Sequence, residues 1–69
     1  MSERIQHTLG RNVAAIRATL GLNKVEFALQ LGISRVELDL IEDGCSNVKL
    51  TTLSKLAANL GKEPWELLK

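Results

Sequence analysis

Asn23-Lys24-Val25-Glu26-Phe27-Ala28-Leu29-Gln30-Leu31-Gly32-Ile33-Ser34-Arg35-Val36-Glu37-Leu38-Asp39-Leu40-Ile41 carries two helix starts in one short stretch. Asn23 has Glu26 three residues on, and Ser34 has Glu37 three residues on. In each pair the first side chain can accept from the backbone N–H groups of the opening turn, and the glutamate can reach back to the cap. Val25, Phe27, Ala28 and Leu31 give the first helix an inward face; Leu38 and Ile41 do the same for the second. Gly32 lies between them and leaves room only for a tight turn. Helices joined this way cross closely, so the first needs a small residue at the crossing and the turn needs one that tolerates positive φ. Ala28 and Gly32 meet those needs.

Upstream, a longer helix is predicted over about residues 3–20. Leu9, Val13, Ile16 and Leu20 lie on one stripe, and Gly21 stops it. Downstream, Gly44 closes the second short helix and residues 45–49 form a loop. A fourth helix over about 50–60 carries Leu50, Leu53, Leu56, Ala57 and Leu60 in register before Gly61, with Asn47 or Thr51 as its cap. Pro64 suits the first position of a short fifth helix that holds Trp65, Leu67 and Leu68. No stretch alternates for long, so strands are excluded. The expectation is an all-α, compact five-helix fold forming one domain over residues 1–69, with the paired helices at about 23–43.

Composition narrows the function. Sixty-nine residues leave no room for a second core. One cysteine, Cys45, and one histidine, His7, make neither an internal disulfide nor a zinc set, so aliphatic packing must supply the stability. Met1 to His7 is polar, and no apolar run approaches the roughly 18 to 20 residues of a membrane span. A cytoplasmic protein is expected. Phe27 and Trp65 are the only aromatics, which argues against binders that stack single-stranded bases on several rings. No Ser/His/Asp grouping, carboxylate pair, phosphate-cradling glycine loop or metal cluster is present in the sequence. Neither an enzyme nor a cofactor or metal is expected.

The spacing of Ala28, Gly32, Leu38 and Ile41 resembles the helix-turn-helix of the lambda-repressor-like (Xre-type) DNA-binding family. Ile16-Arg17-Ala18-Thr19-Leu20-Gly21-Leu22-Asn23-Lys24 is similar to that family's exit from helix 1, Ile41-Glu42-Asp43-Gly44 to the end of its recognition helix, and residues 53–61 to its fourth helix. The resemblance covers about residues 9–68. It implies that helix 2 crosses the DNA backbone while helix 3 lies in the major groove. Ser34, Arg35, Val36 and Asp39 would then face bases, with Leu40 close by; Lys24, Ser46, Asn47 and Lys49 would meet phosphates. Arg17 and Glu42 would form an internal ion pair. The family often binds as two-fold dimers, which makes Trp65 and Leu68 the interface candidates. The implied function is a sequence-specific duplex DNA-binding transcriptional regulator, a repressor that binds a pseudo-palindromic operator as a homodimer.

The residues themselves pull in two directions. Arg35 can pair bidentately with guanine O6 and N7, or it is an exposed arginine bonded to Glu37 or Asp39. Val36 and Leu40 put aliphatic groups where polar ones are usual, suiting either thymine methyls or a protein partner. Net charge is near neutral, with nine Lys or Arg against eight Asp or Glu. From Ser34 to Asp43 a single Arg faces Glu37, Asp39, Glu42 and Asp43, a net of −3. Such a helix is repelled by phosphates, although a carboxylate can accept from cytosine N4. The alternative reading is therefore a protein-interaction module that uses the acidic and apolar face of helix 3. A free-standing regulator and the DNA-reading domain of a longer one read alike.

Overall fold

The chain forms four α-helices and one 3-10 turn in the computed structural model, which describes residues 3–69; Met1 and Ser2, at the polar start, lie outside the described residues. The helices are α1 (Glu3–Leu20), α2 (Lys24–Leu31), α3 (Arg35–Glu42) and α4 (Leu50–Leu60), and the turn is Pro64–Leu67. The expected fifth helix is thus a single turn. A run of four residues is too short for an α ladder. It closes instead through Glu66 N–H to Glu63 O at 3.0 Å and Leu68 N–H to Trp65 O at 3.1 Å.

The caps set where α2 and α3 begin. Asn23 Oδ1 accepts from Glu26 N–H at 2.8 Å, and Glu26 Oε1 accepts from Asn23 N–H at 3.0 Å, completing a capping box. Ser34 Oγ accepts from Glu37 N–H at 3.0 Å. Between the two helices Gly32 takes the left-handed conformation, φ 73°, which a side chain would strain. Helix α4 begins differently: its N-cap is Lys49, without a side-chain cap bond. Asn47 lies two residues before that cap, and its Oδ1 accepts from Gln6 Nε2 of α1. Thr51 lies one residue inside the helix.

The buried side chains form one continuous cluster, with Leu9 and Val13 of α1, Phe27 and Leu31 of α2, Leu38 and Ile41 of α3, and Leu53 and Leu56 of α4 at its centre. Leu67 of the C-terminal turn closes it. Three expected core residues are outside. Val25 is 58% exposed: at about 100° per residue it stands about 160° around the helix from Phe27, beyond the arc that Phe27, Ala28 and Leu31 turn inward. Leu20 and Leu50 are 48% and 78% exposed. Each is the end residue of its helix, α1 or α4, and projects past the edge of the core.

α3 packs on both α1 and α2, while α4 packs on α2 and the C-terminal turn. The α1–α3 approach is the tightest. Gly10 is buried on α1, and a Cβ there would stand 2.3 Å from the Ile41 carbonyl oxygen and 2.9 Å from that of Glu42. The glycine lets two helix backbones touch. On the other side, Lys55 Nζ and Asn59 Nδ2 of α4 donate to Gly32 O (2.7 Å) and Leu31 O (2.8 Å), satisfying carbonyls that the end of α2 leaves open. Together these contacts fix the position of α3. No helix among the described residues is long and apolar enough to cross a membrane.

Candidate nucleic-acid interface

Leu38 and Ile41 anchor α3 in the core, which leaves Arg35, Val36 and Leu40 on the outside. Val36 is 69% exposed and Leu40 45%. Arg35 holds the first position of the helix and makes no hydrogen bond or ion pair among the described residues. Neither Glu37 nor Asp39 takes it up. Ser34 Oγ is engaged as the cap acceptor, and its hydroxyl proton stays free to donate outward.

An open groove of about 420 Å³ lies beside this surface, lined by Arg17, Asn23, Lys24, Val25 and Arg35. Three of its five lining residues are cationic. Two of those cations are already paired. Arg17 grips Glu42 with both ends of its fork, Nε to Oε2 at 2.8 Å and Nη2 to Oε1 at 3.0 Å, while Nη1 donates to Leu22 O at 3.3 Å. The hydrogen bond to Glu42 holds the guanidinium more firmly protonated than usual. Lys24 Nζ stands 2.8 Å from Asp39 Oδ1. That close pairing raises the Lys24 ammonium pKa and lowers the Asp39 carboxyl below its ordinary 3.8 against an opposing desolvation, with the charges of Arg35 and Arg17 adding to the lowering.

These pairs change the electrostatics expected from the sequence. The net −3 of residues 34–43 counts only charges within that stretch. Arg17 and Lys24 bring two positive charges against it from α1 and α2, which leaves −1. What remains unpaired is Arg35 against Glu37 and Asp43. The acidic helix is therefore largely neutralised by its own fold.

The other residues singled out from the sequence fall into two places. Ser46, Asn47 and Lys49 lie in the loop between α3 and α4, with Lys49 exposed and Asn47 tied through its oxygen to Gln6. The loop hangs on α1 by that bond, and the amide nitrogen of Asn47 is left to donate. Lys24, beside the groove, has its ammonium committed to Asp39. Trp65 and Leu68 are at the opposite end of the chain: Trp65 is 59% exposed with Lys69 Nζ 4.7 Å from its ring centre, and Leu68 packs partly against the core. Asn12 Nδ2 of α1 donates to Leu67 O at 2.9 Å and Lys69 O at 3.3 Å, securing that end. Gly10, Asn12 and Asn59 have no counterpart in the sequence reading. An interior helical glycine was the one available signal, since such a residue costs helix stability unless a close contact requires it.

Comparison with known proteins agrees with this arrangement. The helix-turn-helix family model matches residues 13–67. Among solved structures, a hypothetical transcription factor, NHTF, from Neisseria superposes with a TM-score of 0.85 at 28% identity, covering 100% of this chain and 80% of that one. The restriction-modification controller protein C.AhdI from Aeromonas hydrophila superposes at 0.79 with 32% identity, covering 90% of this chain and 94% of its own. A search of curated proteins found no match. With its capped helix pair, its left-handed Gly32 turn and a family match over most of its length, the chain belongs to the lambda-repressor-like (Xre-type) helix-turn-helix family of DNA-binding transcription regulators.

Proposed function

We propose that the protein is a sequence-specific duplex DNA-binding repressor that lays α3 in the major groove and acts as a homodimer in the cytoplasm. One observation carries the reading: Arg35 stands exposed at the first position of α3 and lines an open groove in which it is the cation left unpaired among the described residues. A guanidinium so placed matches guanine O6 and N7. Ser34, Val36, Asp39 and Leu40 share its side of the molecule and complete the base-facing set, the two aliphatic residues suiting thymine methyls. Ser46, Asn47 and Lys49 supply phosphate contacts from the adjoining loop. The neutralisation of Asp39 and Glu42 supports this reading, because it removes most of the repulsion that α3 would otherwise meet from phosphates. Trp65, with Leu68 beside it, supports self-association: a large exposed ring on a secured turn is a contact that a two-fold axis can use twice.

The test is binding to random-sequence duplex and to the DNA upstream of its own gene, followed by fluorescence anisotropy across a salt series. The expected result is tight binding to a subset of sequences, with affinity falling steeply as salt rises. Absence of binding to any duplex at low salt overturns the proposal. It would favour instead a protein partner on the exposed Val36 and Leu40 face.

A further inference from the structure

Lys24 opens α2, and Asp39 lies fifteen positions later in the middle of α3, so their pairing depends on how the two helices cross. The ammonium and Asp39 Oδ1 are 2.8 Å apart. Oδ1 is shielded from solvent and accepts no hydrogen bond, so the nearby ammonium is what compensates its charge, and drawing Lys24 away to a phosphate would leave a desolvated carboxylate oxygen uncompensated. The side chain as a whole is still 37% exposed, which leaves the second oxygen, Oδ2, as the accessible atom. The pair therefore offers the outside one fixed acceptor. One helical turn before it, Arg35 offers only donors.

Resting on the DNA-binding reading above, we infer that Lys24 is a positioning residue that aims Asp39, and that Asp39 and Arg35 together select a G·C pair or two adjacent ones. The groove edges of the bases decide this. Cytosine presents an amino donor at N4 with no acceptor beside it, so a single carboxylate oxygen is satisfied there. Adenine places N7 next to its donor, while guanine and thymine present acceptors that repel a carboxylate. Arg35 has the opposite preference, for guanine O6 and N7. Lys24 contributes by holding Asp39 in place and by cancelling its charge as α3 approaches the phosphates, rather than by touching a phosphate itself.

Selection of bound sequences from a random duplex pool, read by sequencing, tests this on the full chain with Lys24→Gln, Lys24→Arg and Asp39→Asn. Thermal melts of each variant establish that it is folded. The wild-type protein should enrich a G·C pair at a fixed position. Asp39→Asn should abolish the preference for cytosine there, because with its oxygen held by Lys24 the amide presents only a donor, and cytosine N4 needs an acceptor. Lys24→Gln should relax the preference at that same position by about tenfold, and Lys24→Arg should restore it. In Lys24→Gln the slope of log affinity against log salt should change by much less than one. A slope reduced by about one with the preference intact marks an ordinary phosphate contact and overturns the inference. Unchanged base preference in Asp39→Asn overturns it as well, and so does wild-type binding without sequence enrichment, which leaves only non-specific DNA binding. Failure of the wild-type protein to bind any duplex removes both this inference and the function it rests on.

Discussion

Replacing Gly10 with alanine sets two effects against each other, and the structure decides between them. In an isolated helix the change is favourable by about 1 kcal/mol, because glycine is the poorer helix former. Here the added methyl would lie 2.3 Å from the Ile41 carbonyl oxygen, against ordinary contact from 3.4 Å. The deficit is about 1 Å, and the atom in the way is main chain inside α3, which cannot swing aside as a side chain can. Either α3 moves off α1 or α1 bends. Overpacking of this kind costs about 1–3 kcal/mol, occasionally more, and a backbone obstacle belongs at the upper end. The net expectation is a loss of about 2 kcal/mol, which for a domain of this size lowers the melting temperature by about 8–16 °C. Thermal denaturation followed by circular dichroism measures it. The control is Ala15→Gly at an exposed position of the same helix, expected to destabilise by about 1 kcal/mol through propensity alone. Both exchanges should therefore destabilise, in opposite chemical directions. If Gly10→Ala melts at or above the wild-type temperature, the close α1–α3 contact does not hold α3 in place and the reasoning fails.

Further outcomes follow from the paired charges and the exposed ends. Arg17→Ala should lower the melting temperature by several degrees, since it leaves the Glu42 side chain, 6% exposed, without its cation; an unchanged melting temperature contradicts this. The Asp39 carboxyl, depressed by Lys24, stabilises the fold at pH values above its unfolded pKa and loses that contribution as pH falls through the lower folded value, so the window lies below about 4. NMR titration of Asp39 should show its pKa rising in Lys24→Met, whereas equal values in both proteins count against the pair. Arg35→Ala should weaken binding to the selected duplex by about ten- to a hundredfold while leaving the melting temperature unchanged, and an equal loss on all sequences would reduce Arg35 to a phosphate contact. Trp65→Ala should shift sedimentation toward the monomer without unfolding the protein; an unaltered mass distribution removes Trp65 from the dimer contact.

The parts of the fold legible in the sequence are those governed by neighbours a few residues apart. Asn23 with Glu26, Ser34 with Glu37, and Gly32 between them fix two helix starts and one turn, and each acts within about four residues of itself. What escaped depends on contacts between elements. Val25 has the right chemistry for the core but the wrong angle around α2, and Leu20 and Leu50 have usable angles but stand at helix ends beyond the core's edge. The charge of α3, even with the expected Arg17–Glu42 pair counted, reads as too acidic from the sequence because Lys24 of α2 cancels Asp39 as well. Lys24 suits a phosphate contact by position alone; only the crossing of α2 over α3 shows Asp39 beneath it. Asn47, for the same reason, could not be seen as bonded to Gln6, forty-one positions away.

In the proposed complex α3 and the loop after it face duplex DNA. Amide chemical-shift mapping, titrating the labelled protein with its best-selected duplex, addresses this placement directly. The largest changes are expected on Ser34, Arg35, Val36, Asp39, Leu40 and residues 46–49, with Trp65 and Leu68 unaffected by DNA contact. Changes concentrated on the Trp65 end, or none at saturating duplex, would contradict it.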